Sequence, residues 1–161
     1  MRACCYAGCR EAQQSWKRCR ALQHWEGDWS IRGDYNASQP PSAAAISGMI
    51  GWLGARQAGV DAARAALRGV SGVSVLHASE VNLVRTSIDV GFPNVVNTVL
   101  PHVALDMVSY SAYDTEADDV YFGRALAFIA AHHVRTPASP PIAVYVGGVS
   151  APLATATRAS A

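Results

Sequence analysis

The chain has 161 residues, half of them hydrophobic and 16% charged, with a formal net charge of +1. That length suits one ordinary domain and falls short of the roughly 250 residues of a complete eight-stranded β/α barrel. The near-neutral balance carries no electrostatic footprint for nucleic acid or anionic lipid, and no apolar run reaches the ~18 residues of a membrane span, so neither partner is expected.

The first residues carry Arg2, Arg10, Glu11, Lys17, Arg18 and Arg20 without an apolar core, so no secretory signal is visible and localisation stays open. All four cysteines, Cys4, Cys5, Cys9 and Cys19, fall here, spaced as CC, then after three residues, then after nine, without the second paired C-x2-4-C knuckle that structural zinc sites use. The composition marks residues 1–21 as a basic, cysteine-rich extension expected to be disordered. Residues 22–152 form the expected domain and residues 153–161 a tail.

From Leu22 the chain alternates regularly. "ALQHWEGDW" reads as a strand running into a polar, aromatic cluster, and "SIRGDYNASQPPS" as a loop. Ser42 is an N-cap candidate for a helix on which Ile46, Met49, Ile50, Leu53, Val60 and Leu67 recur at helical spacing. Val73 to Val84 reads as a second strand, Val95 to Leu100 as a short helix stopped at Pro101, and Ala104 to Asp114 as a third strand. Asp118 to His133 follows as a helix with Val120, Phe122, Leu126, Phe128 and Ile129 on or near its buried side. "IAVYV" (Ile142 to Val146) is the fourth strand.

Strands alternating with helices predict right-handed crossovers and a parallel sheet, because a tight hairpin cannot join parallel neighbours. In such folds function gathers at the carboxyl ends of strands. Those ends carry Glu26 and Asp28, then His77, Glu80 and Asn82, then Ser109, Tyr110, Tyr113 and Asp114. The fourth strand ends in Gly147 and Gly148, which have no side-chain chemistry.

The series "HWEGDW", "WLGARQAGVDAAR", "HASEVNLV", "LPHVALDMVSYSAYD" and "VYVGGVSAP" resembles the second half of a retaining glycoside hydrolase barrel of clan A, the cellulase-like group. The resemblance covers about Leu22 to Pro152. It implies an α/β fold that is a partial, TIM-barrel-like (β/α) barrel of about four parallel strands with flanking helices. In that family the acid/base glutamate ends the fourth strand and the nucleophilic glutamate ends the seventh, often as G-E-F-G. Counting strands, Glu26 matches the acid/base, Glu80 ends the fifth strand, the "SYSAYD" tyrosines end the sixth, and Gly148 stands at the nucleophile position. The implied substrate-binding residues are His24, Trp25, Asp28, Trp29, His77, Glu80, Asn82, Tyr110, Tyr113 and Asp114, around a cleft shared with Glu26 and Gly148.

A retaining mechanism needs two carboxyl groups about 5 Å apart, and only one is evident; an inverting one would have to use Glu26 with Glu80 or Asp114. The expected function is therefore a glycoside-hydrolase-like fragment, catalytically impaired, with a non-catalytic carbohydrate-binding or self-associating module as the alternative. Oligo- or polysaccharide and a second copy pairing through uncovered sheet edges are the expected partners, and the sequence points to no cofactor and no metal. Trp52 reads more readily as core than as a sugar platform. His132 and His133 read as complements to the negative end of their helix. "NAS" at Asn36 matches a glycosylation acceptor.

Overall fold

The computed structural model describes residues 18–148, Ser71 excepted. The cysteine-rich stretch before Arg18, Ser150, Pro152 and the tail lie outside the described residues. Four strands, β1 (Arg18–His24), β2 (Val73–Val81), β3 (Met107–Ser111) and β4 (Val144–Gly148), form one parallel sheet in the order β1-β2-β3-β4. This is the parallel α/β sheet with flanking helices that the alternation of elements predicts. β1 takes in Arg18 to Ala21, which the composition assigns to the extension.

Between β1 and β2 lie α1 (Gly27–Ser30) and α2 (Ala43–Ala66). The expected cap is present: the Ser42 hydroxyl accepts the Ala45 N–H at 3.1 Å. Met49, Leu53, Gln57 and Val60 form the buried stripe of α2, while Leu67 lies beyond the helix and is exposed. The β2–β3 crossover holds α3 (Val84–Val90), α4 (Val95–Thr98) and a 3-10 turn at Leu100–His102. α3 is not anticipated by the sequence, where β2 reads on as far as Val84. α5 (Asp119–His132) joins β3 to β4 and buries Ala125 and Ile129, whereas Val120 is exposed. His132 Nδ1 lies 2.8 Å from the Phe128 carbonyl oxygen in the last turn, as expected of a histidine at a helix end.

Every crossover leads to the adjacent strand in the same direction, so right-handed connections put all the helices on one face. That face holds the main core: Met49, Leu53, Val81, Val96, Val108, Tyr110, Ala125 and Ile129 pack together, with Val144 and Val146 against them. The hydrophobic cluster on the other face is smaller: among the described residues Leu76, Ala78 and Met107 form it with Tyr145 packed against them, and no helix residue joins it. Across it, the Tyr145 hydroxyl donates to Gln23 Oε1 at 2.6 Å, joining the two outer strands over β2 and β3. In a flat sheet those strands would stand about 14 Å apart, with side chains perpendicular to the plane and unable to meet. The sheet is therefore curved, with this face concave.

At its amino end the sheet is locked by Asp106, fully buried. Its carboxylate accepts from the His77 N–H at 2.7 Å, from Gln57 at 3.3 Å, and from Arg64 and Thr136. Burial pushes this carboxyl up, but the hydrogen bonds from Arg64, Thr136 and His77 outweigh it and hold it below the ordinary range.

Candidate functional site

The carboxyl ends of β1 and β2 are fastened into one joint. Gly27 lies directly on the end of β2, where a Cβ would stand 2.3 Å from the Glu80 carbonyl oxygen, so only glycine fits. Asp28 is fully buried, and its carboxylate accepts the backbone N–H groups of Val95 at 2.8 Å, Asn82 at 2.7 Å and Leu83 at 3.2 Å. The Asp28 N–H in turn donates to Asn82 Oδ1 at 3.3 Å, and Arg32 approaches the Asp28 carboxylate at 3.6 Å. Asp28 thus satisfies the first amide of α4 and the turn after β2, and presents nothing to solvent.

Glu26 sits on this joint in a left-handed backbone conformation, φ 52° and ψ 52°, and is the one non-glycine with positive φ among the described residues. That conformation costs about 1–2 kcal/mol for a residue with a Cβ. The Glu26 N–H donates to Glu80 Oε2 at 2.7 Å, a charge-assisted bond that offsets part of this cost. Glu80 itself is 1% exposed and accepts a second bond from the Ser111 hydroxyl. The Glu26 side chain is accessible, and the exposed Tyr35 hydroxyl donates to its Oε2 at 3.2 Å. That bond and the neighbouring negative charge raise the Tyr35 pKa.

Beside Glu26 opens a shallow cleft of about 250 Å³, lined by Trp25, Glu26, Trp29, Asn82, Leu83, Ser111, Tyr113 and Asp114. It draws on the ends of β1, β2 and β3, as the parallel topology requires. Trp25 is 68% and Tyr113 60% exposed, so both rings offer free faces, and Trp29 leans on Tyr35 with centroids 5.6 Å apart. Asp114 is tied to the Arg85 N–H at 2.7 Å and the Tyr110 hydroxyl at 2.6 Å. Burial outweighs these bonds and holds its pKa above the ordinary carboxylate value.

The expected site residues fall into three groups. Trp25, Glu26, Trp29, Asn82, Tyr113 and Asp114 line the cleft. Glu80 and Asp28 lie beneath it as buried supports. His24, His77 and Tyr110 are not brought to it, because alternation along a strand turns them toward the helices. His24 meets Trp52 of α2 edge-on at 4.7 Å, His77 lies 3.2 Å from Gln57 of α2, and Tyr110 stacks on Phe122 of α5 at 6.3 Å. Burial, reinforced by the nearby Arg56 charge, lowers both histidine pKa values, that of His77 to about 4. Trp52 is not core: it is 44% exposed, with Arg56 over its ring at 4.6 Å.

Gly148 adjoins the cleft. A Cβ there would stand 2.8 Å from the Tyr113 hydroxyl and 3.0 Å from Ser111 Oγ, both on the cleft wall. At Gly147 a Cβ would come within 2.1 Å of Ser109 Oγ, at an irregularity where the β3–β4 register shifts. Sequence reasoning overlooks Ser111 and Tyr35. Ser111 is recoverable from its period-two spacing with Ser109 on the concave face, whereas Tyr35 comes from a loop with no periodic signal. Among the described residues no cluster of three or more His, Cys, Asp or Glu is arranged to hold a metal ion. Comparison with protein-family models, curated proteins and solved structures finds no match to this chain.

Proposed function

We propose that the chain is a carbohydrate-binding domain related to the retaining glycoside hydrolases of clan A, equivalent to the second half of such a TIM-barrel-like barrel and impaired in catalysis. One observation carries the reading. Glu26 is held in a strained, left-handed pose on a buried carboxylate, at the end of a parallel strand, facing a cleft between exposed aromatic rings. Strain of this kind persists where the surroundings over-determine it, and such places cluster at binding and catalytic sites. Flat aromatic faces beside a hydrogen-bonding carboxylate suit the apolar and hydroxylated faces of a pyranose ring.

The curvature and stagger of the sheet support the barrel half of the reading. His24, Ser79, Val108 and Val144 lie in one line of register. Beyond that line β2 runs on to Val81, β3 to Ser111 and β4 to Gly148. The strand ends thus climb by about one residue per strand, the stagger of an eight-stranded barrel of shear eight.

In this reading Glu26 corresponds to the acid/base, and Gly148 leaves the attacking carboxylate missing. The proposed role is retention of an oligo- or polysaccharide without efficient cleavage. Aryl glycosides of several sugars, offered to the purified chain and to Glu26→Gln, test it. Equal background from both proteins is the expected result, and turnover abolished by Glu26→Gln would overturn the impairment. A non-catalytic module that self-associates is the second reading, favoured by the two sheet edges that no described strand covers.

A further inference from the structure

We propose that the sugar this cleft takes is an amino sugar whose amine is free and protonated, a glucosamine unit of an oligosaccharide, with the ammonium held between aromatic rings and the carboxylates of Glu26 and Asp114. The inference rests on the carbohydrate reading above and names the chemical class of ligand for the same cleft.

Charge is the first argument. Glu26 and Asp114 both line the cleft, and no Lys, Arg or His stands with them among the described residues that form its wall. The nearby guanidinium groups are committed elsewhere. The Arg32 side chain is 2% exposed and lies against Asp28, while Arg85, whose backbone N–H holds Asp114, sets its guanidinium over the Tyr121 ring at 4.3 Å and reaches Asp89 at 3.7 Å. Burial keeps the Asp114 pKa raised although the Arg85 N–H and the Tyr110 hydroxyl favour its charged form, and a bound cation would supply the missing countercharge. Glu26 offers a free acceptor too, because the Tyr35 hydroxyl occupies only its Oε2.

The rings make the second argument. Trp25 is 68% and Tyr113 60% exposed, and Trp29 shares the same wall. An aromatic face attracts an ammonium group through its quadrupole, and rings set beside carboxylates form the cage that recognises such cations. Two carboxylates would repel a uronate or a sulfated sugar from the same place.

A bare ammonium ion would leave the polar wall unused. Asn82 is 6% exposed, and because its Oδ1 accepts the Asp28 N–H its amide is oriented with Nδ2 as a donor that has no partner among the described residues. Ring hydroxyls flanking an amine would answer this donor and the Tyr113 hydroxyl on the opposite wall. At about 250 Å³ the cleft lies below the ~300 Å³ at which pockets for drug-sized ligands begin, so it takes a single unit of the chain.

Calorimetric titration of the intact protein at about pH 6, where a sugar amine is protonated, tests this. The ligands are the β-1,4-linked glucosamine tetramer, its N-acetylated counterpart, the glucose tetramer with a hydroxyl in place of each amine, and choline. The glucosamine tetramer is expected to bind about tenfold tighter than either of the other sugars, by a margin that narrows with added salt and in Glu26→Gln and Asp114→Asn. The comparison among ligands is made on the native chain and does not depend on either variant folding. Equal affinity for the three sugars, or tighter binding of an uncharged one, refutes the amine and leaves the carbohydrate reading standing. Choline bound as tightly as the glucosamine tetramer refutes the amino sugar in favour of a plain ammonium cage. Binding of none of the sugars refutes both readings together.

Discussion

The β1–β2 corner and the end of β4 make opposite use of the same kind of position. At the corner, a glycine brings two chain segments into contact, a buried aspartate collects three backbone amides, and a buried glutamate holds a strained one in place. At the end of β4, two glycines follow the last apolar residue and no side chain reaches the cleft. A strand end becomes a site only when its polar groups are fixed by others. Glu26 has that support from Glu80, itself held by Ser111, while the β4 end has an open wall.

Removing the joint should cost most. Asp28→Ala would orphan the Val95, Asn82 and Leu83 amides and leave Arg32 without its buried partner, and a loss of about 3–5 kcal/mol is expected. The urea midpoint measures it, and a change under 1 kcal/mol would mean that the corner does not organise the fold. Gly27→Ala should lose about 1–3 kcal/mol, because its methyl group meets a backbone carbonyl that cannot turn aside. The same denaturation assay checks it.

The pH response of β2 lies between the two regions in size. His77 titrates near 4 in the fold against 6.5 unfolded, so it stays neutral in the structure. Its contribution is whole above about pH 6.5 and is lost as the pH falls toward 4, where unfolding lets the ring bind a proton. Asp106, with its depressed pKa, adds a loss of the same sign at lower pH. Melting temperatures between pH 7 and 4.5 should fall for the native chain and fall less steeply for His77→Asn, since His24 and His133, whose pKa values burial also lowers, keep part of the slope; parallel slopes would remove His77 as a cause.

Gly148→Glu should do least. The nearest obstacle to its Cβ is the tip of the exposed Tyr113, which can move, so stability should change by under about 1 kcal/mol. Under the proposed carbohydrate reading the substitution is not expected to confer retaining hydrolysis, because paired carboxylates need positioning within about 0.5 Å by a supporting shell, and the β4 end offers none. A glycosyl-enzyme adduct on the new glutamate, trapped with a fluorinated sugar and seen by mass spectrometry, would show the β4 wall to be as well organised as the corner.

How much of this was legible in the sequence follows from what periodicity records. The four strands, α2 with its Ser42 cap, and α5 stood out because apolar spacing reports one buried face. α3 did not, because "VRTSIDV" continues a β-branched run and begins where Asp114, from a distant segment, accepts an N–H in its first turn. For the cleft, Trp25, Glu26, Trp29, Asn82, Tyr113 and Asp114 were legible as polar or aromatic residues at strand ends. The facing of His77 and Tyr110 was in principle legible too, since both alternate with residues on the concave face. The burial of Asp28 was not, because its partners lie 54 to 67 residues away in the chain.

The most direct test is titration of the intact protein with a panel of oligosaccharides, followed by tryptophan fluorescence, for the native chain, Trp25→Ala and Glu26→Gln. Saturable binding of at least one sugar is expected, weakened about fivefold or more in Trp25→Ala, as a stacking contact worth ~1 kcal/mol implies. Absence of binding across the panel, or binding that both substitutions leave untouched, would contradict a carbohydrate site at the β1–β3 strand ends.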